Sequence, residues 1–156
     1  MTAVHSSSSL IQSWRQKHTG SRPTLSCQAA DIAEGLAFEH LPYTAIIDKG
    51  TLDGLLCKES GLQEAQAALS SVWSNLKSPG TFIMFTHGPP SLRMPLLSQQ
   101  KWSSVTVKVI VPVGTAAAAA GAPATTAGRL QVAAMDPNAA YPASATYIYI
   151  CKKPYV

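Results

Sequence analysis

The stretch Tyr43-Thr-Ala-Ile-Ile-Asp48-Lys49-Gly50-Thr51-Leu52-Asp53-Gly-Leu-Leu56 constrains this chain more than any other. It opens as an apolar run rich in β-branched residues, the composition of a buried strand. At Asp48-Lys49-Gly50 the pattern changes, and Leu52, Leu55 and Leu56 then follow at helical spacing. A strand is therefore expected to deliver polar residues to the start of a helix, with Thr51 or Asp48 capping its free amides. In open α/β sheets ligands bind just outside the carboxyl ends of the strands, so this turn is the first place to expect chemistry.

The flanking sequence repeats the same alternation. Residues 2–4 form a short apolar fragment ending at His5. Ser6–Ser9 then lead into Leu10, Ile11 and Trp14, whose spacing predicts a helix from about Ser7 to His18. Thr24–Ala29 reads as a strand closing at Ala30-Asp31, and Glu34–Pro42 as a loop. Beyond the central turn, Leu62, Ala65, Leu69, Val72, Trp73 and Leu76 predict an amphipathic helix that stops in a turn at Lys77–Gly80. Thr81–Phe85 is a further buried strand, and His87–Pro95 a Pro-rich loop carrying His87 and Arg93. Trp102–Val111 and Ala145–Cys151 alternate as strands, the first near a sheet edge. They are most simply an antiparallel hairpin holding a low-complexity Ala/Thr/Gly/Pro insertion, within about 112–144, at its tip. Strand–helix alternation of this kind argues a mostly parallel sheet with right-handed crossovers.

Composition narrows the function classes. With 156 residues, 46% of them hydrophobic, the chain makes one domain with a core that needs no staples. Its net charge of +4 comes from scattered Lys and Arg, with only Lys152-Lys153 adjacent, so no nucleic-acid stripe is expected. No run reaches the length of a membrane span. Met1–His5 shows no targeting signal. Cys27, Cys57 and Cys151 are odd in number and far apart, which reads as core-lining thiols in a reducing compartment rather than a disulfide or metal framework. Met84, Trp73 and Trp102 are assigned to packing.

The hexapeptide Asp48-Lys49-Gly50-Thr51-Leu52-Asp53, with the closing strand pair, resembles the class I S-adenosylmethionine-dependent methyltransferases. Within them it is similar to the DKGTLD group containing the elongation factor 1-alpha and citrate synthase lysine methyltransferases. Ala30-Asp31-Ile32, Leu76–Phe82, the Pro90–Leu97 segment and Tyr147–Lys153 add to the resemblance, which covers nearly the whole chain apart from the insertion.

The resemblance implies a Rossmann-like α/β fold and S-adenosyl-L-methionine as cofactor. Asp31 would accept the adenine amino group, with the Ile32 amide beside the ring. Asp48, Lys49 and Gly50 would line the methionine end, and Thr51 is assigned to the substrate side. From their place in the loop after Thr81–Phe85, at the same end of the sheet as Asp48, His87 and Arg93 either gate or contact substrate or belong to a solvated loop with the Arg paired to a nearby acid. His5 stands where the family carries an acid for the ribose hydroxyls; neutral imidazole offers one hydrogen bond in place of a bidentate charged grip, which implies weaker cofactor affinity. Ser78-Pro79-Gly80 replaces Pro-Gly-Gly, and Thr44 occupies a position where Asp is common. The family's first strand and Gly-rich loop find no match in the sequence, which implies an incomplete, N-terminally truncated methyltransferase domain over residues 1–156.

Three functions are therefore expected alternatives. One is a protein lysine N-methyltransferase, impaired in this form, with a lysine-bearing protein as substrate and no nucleic-acid or membrane partner. The second is a non-catalytic remnant that binds proteins, and the third a small-molecule or lipid methyltransferase. No residue stands out as a dedicated catalytic base and no metal is implied. The expected compartment is the cytoplasm, or the mitochondrion if an N-terminal segment is missing. Oligomeric state is not legible.

Overall fold

In the computed structural model, described for residues 1–35, 42–112, 130–136 and 139–155, the strands fall into two separate sheets. The smaller pairs β1 (Thr2–His5) with β2 (Ser26–Ala29) in parallel, connected through α1 (Ser8–His18). The larger has the order β3-β4-β7-β5-β6. Here β3 (Tyr43–Lys49) lies parallel to β4 (Leu76–Thr86), with α2 (Thr51–Leu56) and α3 (Gly61–Asn75) between them in sequence. After α4 (Pro90–Leu97), β5 (Ser104–Pro112), β6 (Leu130–Ala134) and β7 (Thr146–Lys153) complete the sheet in antiparallel pairings. The architecture is α/β, as expected from the sequence, and its larger sheet is mixed where a mostly parallel one was expected, with one parallel and three antiparallel pairings among the described residues.

Local chemistry explains the helix starts. Ser7 caps α1 by accepting the Leu10 amide at 3.3 Å, and α3 follows Ser60, whose hydroxyl engages Glu64 one turn on. The core lies on one face of the larger sheet. There Leu52, Leu55, Ala65, Ala68, Leu69 and Val72 of α2 and α3 pack with Phe82, Met84, Tyr149 and Cys151 of the strands.

Several expectations need correction. Leu62 is 57% exposed; the buried stripe of α3 is set by Gly61, Ala65, Ala68, Leu69 and Val72 instead. The predicted turn at Lys77–Gly80 lies inside β4, where the ladder to β3 shifts register between Tyr43 and Ala45, so the chain bulges without leaving the sheet. The predicted Pro-rich loop is in part α4, since Pro90 at the first helical position needs no amide partner. The inserted segment contributes β6, which takes the sheet edge and moves β5 inward; residues 113–129 of that insertion and 36–41 of the Glu34–Pro42 loop lie outside the described residues. Cys27 and Cys151 are buried as expected, whereas Cys57 is exposed.

Candidate functional site

Asp48, only 6% exposed, is the one buried residue of β3, whose apolar run was expected to be a buried strand. Its Oδ1 accepts the Thr51 amide at 3.0 Å, and Oδ2 lies 3.5 Å from the Leu52 amide. The carboxylate thus supplies the helix cap anticipated from the sequence, satisfying amides at the positive end of α2. Burial pushes its pKa above the ordinary carboxylate value, while hydrogen bonds from Thr51 and Leu52 pull it back in part. Gly50 makes the turn feasible: its φ of +77° is a left-handed conformation that a side chain resists, and its amide bonds Phe85 O on the neighbouring strand at 3.1 Å. Lys49 and Thr51 are exposed on either side.

Five residues further on, Asp53 anchors a second cluster. Its Oδ1 accepts Arg93 Nη2 at 2.7 Å and the Thr86 hydroxyl, and its Oδ2 accepts the His87 amide at 3.0 Å. Arg93 Nε also reaches Thr86 Oγ1 at 3.0 Å, which in turn accepts the Gly88 amide. Tyr149 Oη donates to Gly88 O at 3.0 Å, and His87 Nδ1 is 3.2 Å from Ala145 O. Burial raises the pKa of Asp53, but the bonds from Thr86, His87 and Arg93 and the guanidinium charge outweigh it and hold the carboxyl below its ordinary value. A Cβ at Gly88 would lie 2.2 Å from the Arg93 guanidinium, so a side chain there would have to displace Arg93. The network ties α2, the loop after β4, α4 and β7 together at the end of the sheet where Asp48 sits.

On the smaller sheet, β1 and β2 end side by side, with His5 in register with Ala29. His5 is exposed; its Nδ1 accepts the Ser7 amide at 2.9 Å, and its ring meets Trp14 edge-on at 6.0 Å. The bond to Nδ1 leaves Nε2 as the other ring nitrogen available for a hydrogen bond. Asp31, two residues past the end of β2, folds back so that Oδ1 accepts the Ala33 amide at 2.9 Å. Ile32 packs against the main core.

The structure therefore brings Asp48, Lys49, Gly50, Thr51, His87 and Arg93 to the carboxyl ends of β3 and β4, and His5, Asp31 and Ile32 to those of β1 and β2. It commits Arg93 to Asp53 and Thr86. Asp53, Thr86, Gly88 and Tyr149 were not expected at a site. Asp53 alone carried a signal, as an acid in the first turn of α2 within the signature hexapeptide. A cleft of about 440 Å³ lined by Thr44, Gly80, Lys152 and Tyr155 opens at the opposite ends of β3 and β4 and touches none of these residues. Among the described residues no group of three His, Cys, Asp or Glu could hold a metal ion, and no helix is long and apolar enough to cross a membrane.

Solved structures share the fold. The chain is similar to a methyltransferase of Thermotoga maritima described as a possible histamine N-methyltransferase, with TM-score 0.65 and 12% identity over 97% of this chain and 72% of that one. This is the fold of the S-adenosylmethionine-dependent methyltransferases. A second methyltransferase, NodS of Bradyrhizobium japonicum WM9 in complex with S-adenosyl-L-homocysteine, matches at TM-score 0.62 and 12% identity over 98% of this chain and 66% of its own. An O-methyltransferase of Thermotoga maritima matches at TM-score 0.57 and 15% identity, over 99% of this chain and 50% of that one. The chain thus spans about half to two thirds of the length of the first methyltransferases it matches. No protein-family model and no curated protein matches it.

Proposed function

We infer that this chain is part of an S-adenosyl-L-methionine-dependent methyltransferase acting on a lysine of a protein substrate. The supporting observation is the placement of Asp48-Lys49-Gly50 at a strand-to-helix turn and of Asp31 just past β2 of the smaller parallel sheet, within a methyltransferase fold. The donor set suits such a cofactor in part. Asp31 uses Oδ1 for its own turn and has Oδ2 for an adenine amino group, with the Ile32 amide beside it. His5 Nε2 offers a ribose hydroxyl one hydrogen bond. The left-handed turn at Gly50 keeps the backbone bare of a side chain where the methionine end would pass.

When bound, the cofactor supplies a methyl group on a positively charged sulfur. Asp31, His5 and the turn at Asp48-Lys49-Gly50 would hold it, and the protein's own contribution would be orientation, presenting a neutral amine to that methyl group. Asp48 is fastened to α2 and sets the shape of the turn, so no described side chain is a dedicated base. The preference for a protein lysine rests on the hexapeptide resemblance. The protein is expected in the cytoplasm.

Calorimetry with S-adenosyl-L-homocysteine tests the cofactor assignment. Weak saturable binding that Asp31→Ala lowers at least tenfold is expected; no heat at millimolar ligand overturns it. Transfer of labelled methyl to protein lysines, lost when the substrate lysines are acetylated, tests the substrate class, and label on other residues alone overturns that part. A non-catalytic, protein-binding reading is favoured by one observation, the division of the strands into two sheets; saturable cofactor binding together with methyl transfer would dispose of it.

A further inference from the structure

Residues 65–156 carry seven Lys or Arg against one acid, Asp136, whereas the residues before them carry five against seven. The positive balance of the chain is thus concentrated in the stretch that supplies β4, β5 and β7. Four of its lysines fall at one end of the larger sheet: Lys77 at the amino end of β4, Lys101 just ahead of β5, and Lys152 and Lys153 at the close of β7. This is the end away from Asp48, because β4 and β5 begin here and the antiparallel β7 finishes here.

The cleft of about 440 Å³ opens among these strand ends and is of the size that small-molecule sites have. Its origin is the bulge in β4. Tyr43 pairs with Leu76 and Ala45 with Thr81, so two steps along β3 are matched by five along β4, and Lys77–Gly80 bow out of the ladder. Gly80 lets the bulge close, since a Cβ there would lie 2.6 Å from Lys77 O. Pro79 and Pro154 line the cleft with apolar surface, together with the Tyr155 ring, which is 86% exposed.

Charge and hydrogen-bonding capacity in the cleft are one-sided. Lys152 is in register with Thr81, and its Nζ donates to Thr81 Oγ1 at 2.9 Å. An ammonium has three donors, so two remain, and the Thr81 hydroxyl keeps its own hydrogen to give. The Thr44 hydroxyl lines the same cleft and is exposed. Lys153 Nζ is held by Trp73 O at 2.7 Å and Leu76 O at 2.9 Å, over the Trp73 ring, so its charge is fixed in place. Among the described residues no Asp or Glu lines the cleft to offset either ammonium. Two uncompensated cations beside donor hydroxyls and apolar walls are complementary to an anion carried on an apolar body. The donor types favour phosphate over carboxylate. A carboxylate matches the planar fork of an arginine, whereas a lysine point charge with separate hydroxyl donors suits the several oxygens of a phosphate.

We propose that this cleft is a ligand site in its own right and takes a small phosphate monoester. The phosphate oxygens accept from Lys152 and from the hydroxyls of Thr81 and Thr44, and the organic body lies against Pro79, Pro154 and the Tyr155 ring. Thr81 and Thr86 are five residues apart along β4, about 17 Å, so a ligand of this size does not reach the turn at Asp48.

The test titrates phenyl phosphate into isotope-labelled protein and follows the backbone amide resonances. Saturable shifts at Gly80, Thr81 and Ser103 with a Kd below about 1 mM are expected, with Asp48 and Gly50 unmoved. Lys152→Gln should weaken binding at least about tenfold, as should replacing the probe by phenol. Tyr155→Ala, at a side chain too exposed to matter for folding, should weaken it by about threefold or more. The absence of saturable shifts at millimolar probe overturns the proposal, as does an unchanged Kd in Lys152→Gln or equal binding of phenol. Benzoate binding as tightly as phenyl phosphate overturns the assignment to phosphate, and an unchanged Kd in Tyr155→Ala overturns the placement of the organic body. The shifts are read without cofactor or methyl acceptor, so the result is independent of the functional reading.

Discussion

Arg93 Nη2 lies 2.7 Å from Asp53 Oδ1, and the two side chains are only 11% and 23% exposed. Forty residues separate them in sequence, and between them they hold the loop after β4 against the first turn of α2. Removing one member leaves the other charge in a site with little water. Arg93→Ala is expected to destabilise the chain by roughly 3 kcal/mol, with Arg93→Lys recovering only part because it lacks the planar fork. Denaturant melts of the two variants check this; an unchanged midpoint for the alanine variant contradicts it.

The same cluster sets an acid-side dependence. The folded pKa of Asp53 lies below its ordinary 3.8. Its stabilisation is therefore complete above the unfolded value and lost as pH falls through the lowered folded value. Thermal melts in the acid range should show the chain losing stability there, and Asp53→Asn should flatten that part of the profile.

Asp48 behaves oppositely. Its folded pKa is raised above 3.8, so ionisation opposes folding: the penalty is absent below the unfolded value and complete once pH exceeds the folded one. Asp48→Asn keeps an acceptor for the Thr51 amide and removes the buried charge. At pH 7 it should melt no lower than the parent, and its advantage should shrink as pH falls toward 3.8. Asp48→Ala loses the cap and should cost about 1 kcal/mol.

Gly50→Ala isolates backbone strain, since a Cβ there meets nothing within 4 Å while φ stays at +77°. A loss of about 1 kcal/mol is expected from the left-handed conformation alone. A neutral effect in urea melts would show that the turn relaxes.

The thiols should separate cleanly with an aromatic disulfide reagent. Cys57 is exposed and should react at once; Cys27 and Cys151 are buried and should react only on unfolding. Burial pushes the Cys151 thiol up to about 12, which removes its thiolate at neutral pH.

Local pattern was enough for the elements whose periodicity is unambiguous. The apolar run into Asp48, the leucines of α2, the serine cap of α1 and the alternation of β7 each follow from short-range sterics and capping chemistry, so they were legible in order along the chain. So was the part of the site built from adjacent residues, the turn Asp48-Lys49-Gly50-Thr51. Long-range pairing decided the rest. The partnership of Asp53 with Arg93 and Thr86 depends on β4 lying beside β3, and the bulge at Lys77–Gly80 on where that ladder resumes. Pro90 at the first position of α4 is instead a local signal that the loop reading passed over, whereas β6 taking the edge from β5 again follows from neighbours that no local window contains. The division of the strands into two sheets is of the same kind, because hydrogen-bonded neighbours in a sheet are set by topology and not by proximity in sequence.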